Sequence, residues 1–153
     1  MDVHAGLDST LVIMRNVLKT GITVVRDYCA DLPPVLAHGG ELNQVWTNLL
    51  DNAAHAVYSQ PVPTGTVTIR TRWDGGHAVV EVEDDGPGIP ETIQPHLFDP
   101  FFTTKEPGAG TGLGLSTSYS IITDKHGGSI TVESRPGRTV FTVRLPLDDE
   151  RKS

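Results

Sequence analysis

Glycine is concentrated at the two ends of one stretch of the chain, residues 84–116. The first end reads Asp84-Asp85-Gly86-Pro87-Gly88-Ile89, and the second reads Gly108-Ala109-Gly110-Thr111-Gly112-Leu113-Gly114-Leu115-Ser116. Because glycine has no β-carbon, both segments allow the backbone to come close to a ligand. The second segment also runs into a predicted helix, whose first-turn amides lack intrahelical acceptors and attract anions. The stretch therefore predicts a nucleotide site with the phosphates near this helix start.

Two familiar phosphate loops are excluded by the residues around these glycines. A P-loop requires Lys followed by Ser or Thr after its last glycine, whereas Gly114 is followed by Leu115 and Ser116. A dinucleotide fingerprint requires Gly-x-Gly-x-x-Gly, and the run that begins at Gly108 has Leu113 in place of the last glycine. What remains is a glycine-rich loop that leads into a helix.

The segment 41–57 has the clearest helical periodicity in the chain. Its polar stripe contains Asn48, Asn52 and His55. A solvated surface is the ordinary interpretation of such a stripe, but asparagine is a mediocre helix former that such a surface has little reason to prefer. An asparagine carbonyl is also a suitable oxygen ligand for Mg²⁺, so both interpretations remain open on this helix alone. The apolar face opposite consists of Leu42, Val45, Trp46, Leu49, Leu50, Ala53, Ala56 and Val57.

The rest of the chain predicts an α+β fold. A first helix is expected before Gly21, with Asp8 or Ser9 as its cap, and a later helix is expected from Ser116 to about Lys125. These elements predict a two-layer α/β sandwich, in which about three helices cover one face of a mixed, mainly antiparallel sheet of about five strands. The predicted strands are 22–28, 35–37, 66–73, 77–83, 129–134 and 139–145.

Composition limits the classes of function. A chain of 153 residues with 37% hydrophobic content is expected to form a single domain over 1–153, with flexible ends at 1–7 and 148–153. The net charge of -7 argues against binding to nucleic acid or direct contact with an anionic membrane. The single cysteine, Cys29, favours a reducing, cytoplasmic setting, and no apolar run is long enough to span a membrane. The histidines show no metal-ligand spacing.

Four motifs resemble those of one family. Asn48-Leu49-Leu50-Asp51-Asn52-Ala53, Asp84-Asp85-Gly86-Pro87-Gly88, Phe98-Asp99-Pro100-Phe101-Phe102 and Gly110-Thr111-Gly112-Leu113-Gly114-Leu115 stand in that order. They resemble the N box, first glycine box, F box and second glycine box of bacterial sensor histidine kinases. The chain thus resembles the catalytic and ATP-binding domain of such a kinase. Its superfamily, the Bergerat fold, includes gyrase B, the ATP-driven heat-shock chaperones and the mismatch-repair ATPases.

The resemblance implies an adenine end of the site. Asp84 would accept a hydrogen bond from the adenine amino group, because an ionised carboxylate is only an acceptor. Gly86 and Gly88 would leave room for the base and a bridging water, and Ile89 would pack nearby. Thr139 lies where the family often places a threonine near adenine. A turn-forming aspartate is the alternative interpretation of Asp84.

The resemblance also implies a phosphate end on the predicted helix 41–57. Asn52 would hold Mg²⁺, with Asn48 one turn earlier beside the phosphates of ATP. His55, one turn later, would face the phosphates, and simple exposure is its alternative. Relatives that hydrolyse ATP with water carry a Glu general base where this chain has Asn48. An amide cannot take a proton from water, so we expect slow hydrolysis and a site that positions ATP for transfer.

A lid over the nucleotide is expected at about 99–110. Lys105 in this lid would reach the terminal phosphates as a point charge, although a solvated lysine is the alternative. The nucleotide would also contact the loop and helix start that follow, namely Gly110, Thr111, Gly112, Leu113, Gly114 and Leu115.

The resemblance implies a phosphotransferase of a two-component system. The acceptor would be a histidine on a separate dimerisation domain, and a response regulator would be an indirect partner. Nothing before Gly21 resembles the histidine box, because His4 is not directly followed by Asp or Glu. We therefore expect this chain to be part of a longer kinase, soluble or membrane-anchored, and to be inactive without that domain. The alternatives are an ATP-gated regulatory module and a serine kinase of the anti-sigma type.

Overall fold

The computed structural model describes residues 2–35, 37, 39–99 and 114–147. The helices are α1 (Val3–Ile13), α2 (Arg15–Leu18), α3 (Gly39–Tyr58) and α4 (Gly114–Ser120). The strands are β1 (Ile22–Asp27), β2 (Gly65–Asp74), β3 (His77–Asp84), β4 (Ser129–Arg135) and β5 (Arg138–Pro146). A 3₁₀ turn covers Gln94–His96, and α4 continues into a π-helical turn, Ile121–Lys125.

The five strands form one mixed sheet in the order β1-β2-β3-β5-β4. β1 pairs in parallel with β2, and every other pair is antiparallel. The predicted α+β sandwich with a mainly antiparallel sheet is therefore confirmed. The register pairs Asp84 on the central strand β3 with Thr139 on β5. Two residues predicted to contact adenine from distant parts of the sequence thus become direct neighbours.

The core lies between the inner face of the sheet and α3. The apolar face of α3 is buried as its periodicity predicts, and Leu42, Val45, Trp46, Leu49 and Leu50 have no exposed surface. Strand alternation supplies the other half of the core, because every second side chain of a strand points to the same face. These inner-face side chains are Val67, Ile69, Ala78, Val80, Val82, Phe141, Val143 and Leu145. None of the described helices has the length and apolarity needed to cross a membrane.

The outer face of the sheet carries a ladder of ion pairs. Arg70 lies 3.1 Å from Glu81 and 3.0 Å from Glu83, and Arg138 lies 3.2 Å from Glu83. Partial burial raises the pKa of Glu83, but Arg138 and Arg70 outweigh this effect and hold that pKa below its usual value. The carboxylates of Glu81 and Glu83 on this face are therefore paired with arginines of the sheet.

The first helix begins earlier than predicted. Asp2 is its cap, because its side chain accepts hydrogen bonds from the backbone N–H groups of His4 (2.9 Å) and Ala5 (3.4 Å). The prediction of Asp8 or Ser9 as the cap is wrong. A cap must precede the first buried turn, and the burial of that turn was not recognised in the sequence.

Residues 3–7, expected to belong to a flexible end, form the first turns of α1. Leu7 is fully buried in the core. Asp8 lies inside the helix and instead accepts hydrogen bonds from Arg26 on β1 (3.2 Å) and from the hydroxyl of Tyr28 (2.9 Å). These contacts join α1 to the edge of the sheet.

Two other predicted elements differ in form. Where a strand was expected at 35–37, the described residues show an isolated antiparallel bridge between Val35 and Leu147. The helix expected after Ser116 begins at Gly114. It widens into the π-helical turn after Ser120, where Ile121 and Ile122 are buried.

Candidate functional site

A cavity of about 180 Å³ lies between α3 and the neighbouring ends of β3 and β5. It brings together all of the predicted adenine residues except Gly86, along with Asn52 and His55 from the polar stripe of α3. The cavity is lined by Asn52, His55, Ala56, Ser59, Asp84, Pro87, Gly88, Ile89, Leu97 and Thr139.

Asp84 is the buried carboxylate of this cavity. It is only 2% exposed, and its Oδ1 accepts a hydrogen bond of 2.9 Å from the backbone N–H of Gly86. Burial, opposed by the Gly86 hydrogen bond and assisted by the nearby charges of Asp85 and Glu83, raises the pKa of Asp84 to about 6. No arginine, lysine or histidine among the described residues forms an ion pair with it. The carboxylate can therefore accept a hydrogen bond from a ligand.

Asp85 has a different role from its neighbour. Its Oδ1 accepts a hydrogen bond of 2.9 Å from the backbone N–H of Thr66 at the start of β2. A β-carbon at Gly65 would collide with that oxygen, so glycine is required there. Asp85 thereby fixes the loop after β3 to the sheet.

The two glycines of this loop permit close backbone contacts. A β-carbon at Gly86 would lie 3.1 Å from the β-carbon of Ala56, so the loop packs tightly on α3. Gly88 has a φ of 88°, and a β-carbon there would lie 2.5 Å from the carbonyl oxygen of Arg135. Both glycines thus have a packing role, in addition to the predicted role of leaving room for the base.

One wall of the cavity is held by hydrogen bonds that sequence reasoning missed. The backbone N–H of Ile89 donates to Ser134 Oγ (2.8 Å), which lies 2.7 Å from Thr139 Oγ1. Gln94 Nε2 donates to the carbonyl oxygens of Ile89 (2.8 Å) and Ser134 (3.3 Å). The β4–β5 turn Arg135–Arg138 offered a signal, because a tight hairpin there pairs Ser134 with Thr139.

Asn52 and His55 occupy the α3 side of the cavity. Asn52 is half-buried, and its side chain forms no hydrogen bond with residues 2–35, 37, 39–99 or 114–147, so its carbonyl oxygen is available to a ligand. His55 is exposed at the rim. No group of three or more His, Cys, Asp or Glu suited to a metal occurs in the described part of the chain. A single amide oxygen fits Mg²⁺, which takes its other ligands from phosphate and water.

Asn48 does not line the cavity. Its Nδ2 donates to the carbonyl oxygen of Gly114 (2.9 Å) and to Ser118 Oγ (3.0 Å), and its Oδ1 accepts from Gln44 (2.9 Å). Ser118 is fully buried, so these bonds tie α3 to α4. Asn48 thereby fixes the helix start where the phosphates are predicted to lie. Leu115 of the same helix packs partly against the core.

The segment before the predicted lid is anchored by an aromatic contact. Phe98 packs edge-on against Phe141 of β5, with 6.3 Å between the ring centroids, and its ring is tilted against that of Tyr119 of α4 at 5.5 Å. The predicted ligand contacts of Lys105, Gly110, Thr111, Gly112 and Leu113 lie outside the described residues, as does almost all of the predicted lid.

The sequence matches a family model described as histidine kinase-, DNA gyrase B-, and HSP90-like ATPase over residues 37–149. Among curated proteins, it is 43% identical over 160 residues to the sensory histidine kinase/phosphatase NtrB of Rhodobacter capsulatus. That alignment covers 96% of this chain and 43% of NtrB, so the chain spans less than half of this relative's length.

Solved structures resemble the fold closely. The catalytic domain of histidine kinase ThkA has a TM-score of 0.84 and 32% sequence identity, and the match covers 95% of this chain and 93% of that domain. A structure of ThkA in complex with response regulator protein TrrA matches with a TM-score of 0.80 and 28% identity. The latter match covers 95% of this chain and 40% of the ThkA chain.

Proposed function

The chain belongs to the family of histidine kinase-, DNA gyrase B- and HSP90-like ATPases, and we propose that it presents the γ-phosphate of ATP to a histidine on a separate dimerisation domain. Within that family it is an ATP-binding catalytic domain of the sensor histidine kinase type. The match covers 43% of NtrB, which supports a phosphoacceptor that lies outside this chain.

The nucleotide assignment rests on the cavity of about 180 Å³ between the sheet and α3. Asp84 and Thr139 line it from the sheet, and Asn52 and His55 line it from α3. In this arrangement the adenine base binds beside the ends of β3 and β5, and the phosphates lie along α3. Asp84 accepts from the purine amino group, and Ile89 and Leu97 contribute apolar surface to the base pocket. The base therefore lies at the closed end of the site, and the phosphates point toward the start of α4.

Asn52 is the residue that would hold Mg²⁺ through its carbonyl oxygen. Mg²⁺ held there would neutralise part of the phosphate charge during transfer. Asn52 orients the phosphates along α3, with His55 at the rim facing them. Lys105, from the predicted lid, adds a positive charge at the terminal phosphate.

The reaction is transfer to an imidazole rather than hydrolysis. The acceptor nitrogen attacks the γ-phosphorus, a nitrogen–phosphorus bond forms, and the bond to the bridging oxygen breaks as ADP leaves. The role of this chain is to position and stabilise the γ-phosphoryl group. Asn48 supports this assignment because its amide offers no base to a water molecule and is committed to hydrogen bonds with α4.

The partners are the dimerisation domain and, through it, a response regulator. A solved complex of ThkA with the response regulator TrrA supports this pairing for a protein of the same fold. We assign the domain to the cytoplasm, where ATP is available, whether its parent protein is soluble or membrane-anchored.

Label transfer tests the proposal. The chain is mixed with the dimerisation domain of its own full-length protein and with γ-³²P-ATP, and an acid-labile label on that domain is expected. A variant of the acceptor domain with its histidine replaced by glutamine is the control. Absence of label would contradict the kinase assignment, and nucleotide-dependent structural change alone would indicate a regulatory module. Acid-stable label on a serine would indicate the anti-sigma type.

A further inference from the structure

We propose that Ser134 is a positioning residue that directs the hydroxyl hydrogen of Thr139 into the cavity, where it reads N1 of the purine and selects adenine. This inference rests on the proposed binding of ATP. It concerns a residue on β4 that does not line the cavity itself.

The geometry places the two hydroxyls in a fixed chain. Thr139 is 1% exposed, lines the cavity, and is the cross-strand partner of both Asp84 on β3 and Ser134 on β4. Ser134 Oγ lies 2.7 Å from Thr139 Oγ1 and accepts a hydrogen bond of 2.8 Å from the backbone N–H of Ile89. Among the described residues, Ser134 is therefore the side chain that hydrogen-bonds to the Thr139 hydroxyl and can set its direction.

The direction of this bond depends on where the second hydroxyl hydrogen can find an acceptor. Each hydroxyl has one hydrogen to donate and two lone pairs to accept with. If Thr139 donated to Ser134, the hydrogen of Ser134 would have no further acceptor among the described residues. If Ser134 donates, its hydrogen is used and the hydrogen of Thr139 is free to point into the cavity. In either arrangement one hydroxyl hydrogen lacks an acceptor among the described residues, but only Thr139 lines the cavity, where a ligand can accept from it. A bound ligand with an acceptor therefore favours Ser134 as the donor to Thr139 and Thr139 as the donor to the ligand.

Such a pair matches adenine and mismatches guanine. Adenine offers a donor at its 6-amino group and an acceptor at N1, whereas guanine offers an acceptor at O6 and a donor at N1. Asp84 supplies an acceptor, and Thr139, its direct neighbour in register, supplies a donor. Guanine would meet an acceptor with an acceptor and a donor with a donor, and unpaired polar groups of this kind discriminate strongly between ligands.

The test compares ATP with 1-deaza-ATP, in which a C–H group replaces N1. Binding of both nucleotides to the full chain is measured by calorimetry, first for the wild type and then for Ser134→Ala. The variant is expected to bind ATP about fivefold more weakly, because a hydrogen bond to N1 is lost from most of the population. Its affinity for 1-deaza-ATP should stay within about twofold of the wild type, and Ser134→Thr should restore ATP binding.

A matched control separates positioning from loop anchoring. Gln94→Leu removes the hydrogen bonds to the carbonyls of Ile89 and Ser134 but keeps the hydroxyl pair. This variant should lower the affinity for ATP and the affinity for 1-deaza-ATP by the same factor. If Ser134→Ala does not fold, the isosteric pair Ser134→Thr and Ser134→Val replaces it, because valine keeps the shape of threonine without the hydroxyl.

Two results would overturn the inference. An equal loss of ATP and 1-deaza-ATP affinity in Ser134→Ala would show that Ser134 only holds the loop. Unchanged affinity for both would show that it does not orient Thr139. A wild-type chain that fails to bind ATP would remove the proposed function itself, and with it this assignment.

Discussion

Glu83 and Asp84 are consecutive acidic residues on β3, yet they lie on opposite faces of the sheet and their pKa values are shifted in opposite directions. Glu83 lies on the outer face between Arg70 and Arg138, which hold its pKa below the usual value. Asp84 lies on the inner face, where burial raises its pKa to about 6 and where, within the described part of the chain, its side chain accepts a hydrogen bond from the backbone of Gly86 alone. One carboxylate is satisfied by the protein, whereas the other is left with capacity for a partner.

The difference shows how a half-buried strand can carry both a structural and a binding residue side by side. Strand alternation sends neighbouring side chains to opposite faces. The outer face offers arginines, so a carboxylate there adds to a surface network. The inner face is closed by α3 and the loop after β3, so a carboxylate there is costly unless a ligand bonds to it. A buried carboxylate without a cation is therefore the better marker of the site.

The sharpest test of this contrast is Asp84→Asn. We expect ATP affinity to fall about a hundredfold, because bonds to charged groups contribute roughly 1.5–3 kcal/mol. The amide oxygen is needed for Gly86, so the amide nitrogen would face the purine amino group as a second donor. Calorimetry measures the loss, and Glu83→Gln is the matched control, which should bind within about twofold of the wild type. Wild-type affinity in Asp84→Asn would remove the adenine assignment.

The same substitution should reveal the cost of the buried charge. A carboxyl whose pKa in the folded state lies above its unfolded value contributes stability below the unfolded pKa and loses it as pH rises through the folded pKa. For Asp84 this interval runs from 3.8 to about 6. Relative to wild type, Asp84→Asn should therefore gain about 2–3 kcal/mol of unfolding free energy between pH 4 and pH 7. Urea unfolding across this range measures the difference, and a difference independent of pH would contradict the assigned pKa.

The α3 side of the inner face is tested by Asn52→Ala. The variant should keep its fold, because the Asn52 side chain forms no hydrogen bond with the described residues. Mg²⁺ should strengthen ATP binding to the wild type about tenfold more than to the variant, since one oxygen ligand of the ion is lost. Titrations with magnesium and with chelator provide the comparison. An unchanged magnesium dependence would place the ion elsewhere.

The outer face should give the smallest effect and the opposite pH trend. Glu83→Gln is expected to cost less than about 1 kcal/mol of unfolding free energy at pH 7, because its ion pairs are partly exposed and screened by solvent. The contribution of Glu83 should be present above its usual pKa and should disappear as pH falls, since its folded pKa is lowered. Urea unfolding of the wild type and the variant at pH 7 and at pH 3 measures the loss of unfolding free energy and its dependence on pH. A loss that grows at low pH would reverse the assigned role.

Much of the fold could be predicted from the sequence because helices and strands depend on local patterns of residues. The periodicity of 41–57 predicted the buried face of α3, and alternation with turn residues predicted the strands that form the sheet. The errors are also physical in origin. Asp2, rather than Asp8, caps α1 because the helix buries Leu7 before Asp8 is reached. The strand predicted at 35–37 is represented among the described residues by a bridge between Val35 and Leu147, a pairing between residues far apart in the sequence.

The sequence by itself determined the family resemblance, the adenine motif at Asp84 and the asparagine pair on α3, because residue types and spacing along one chain suffice to specify them. Only the tertiary structure decided which carboxylate is buried, that Asn48 bonds to α4, and that Ser134, Thr139 and Ile89 share one chain of hydrogen bonds. These facts depend on strand register and on contacts between residues distant in sequence. No local pattern encodes the direction in which a side chain meets its partner.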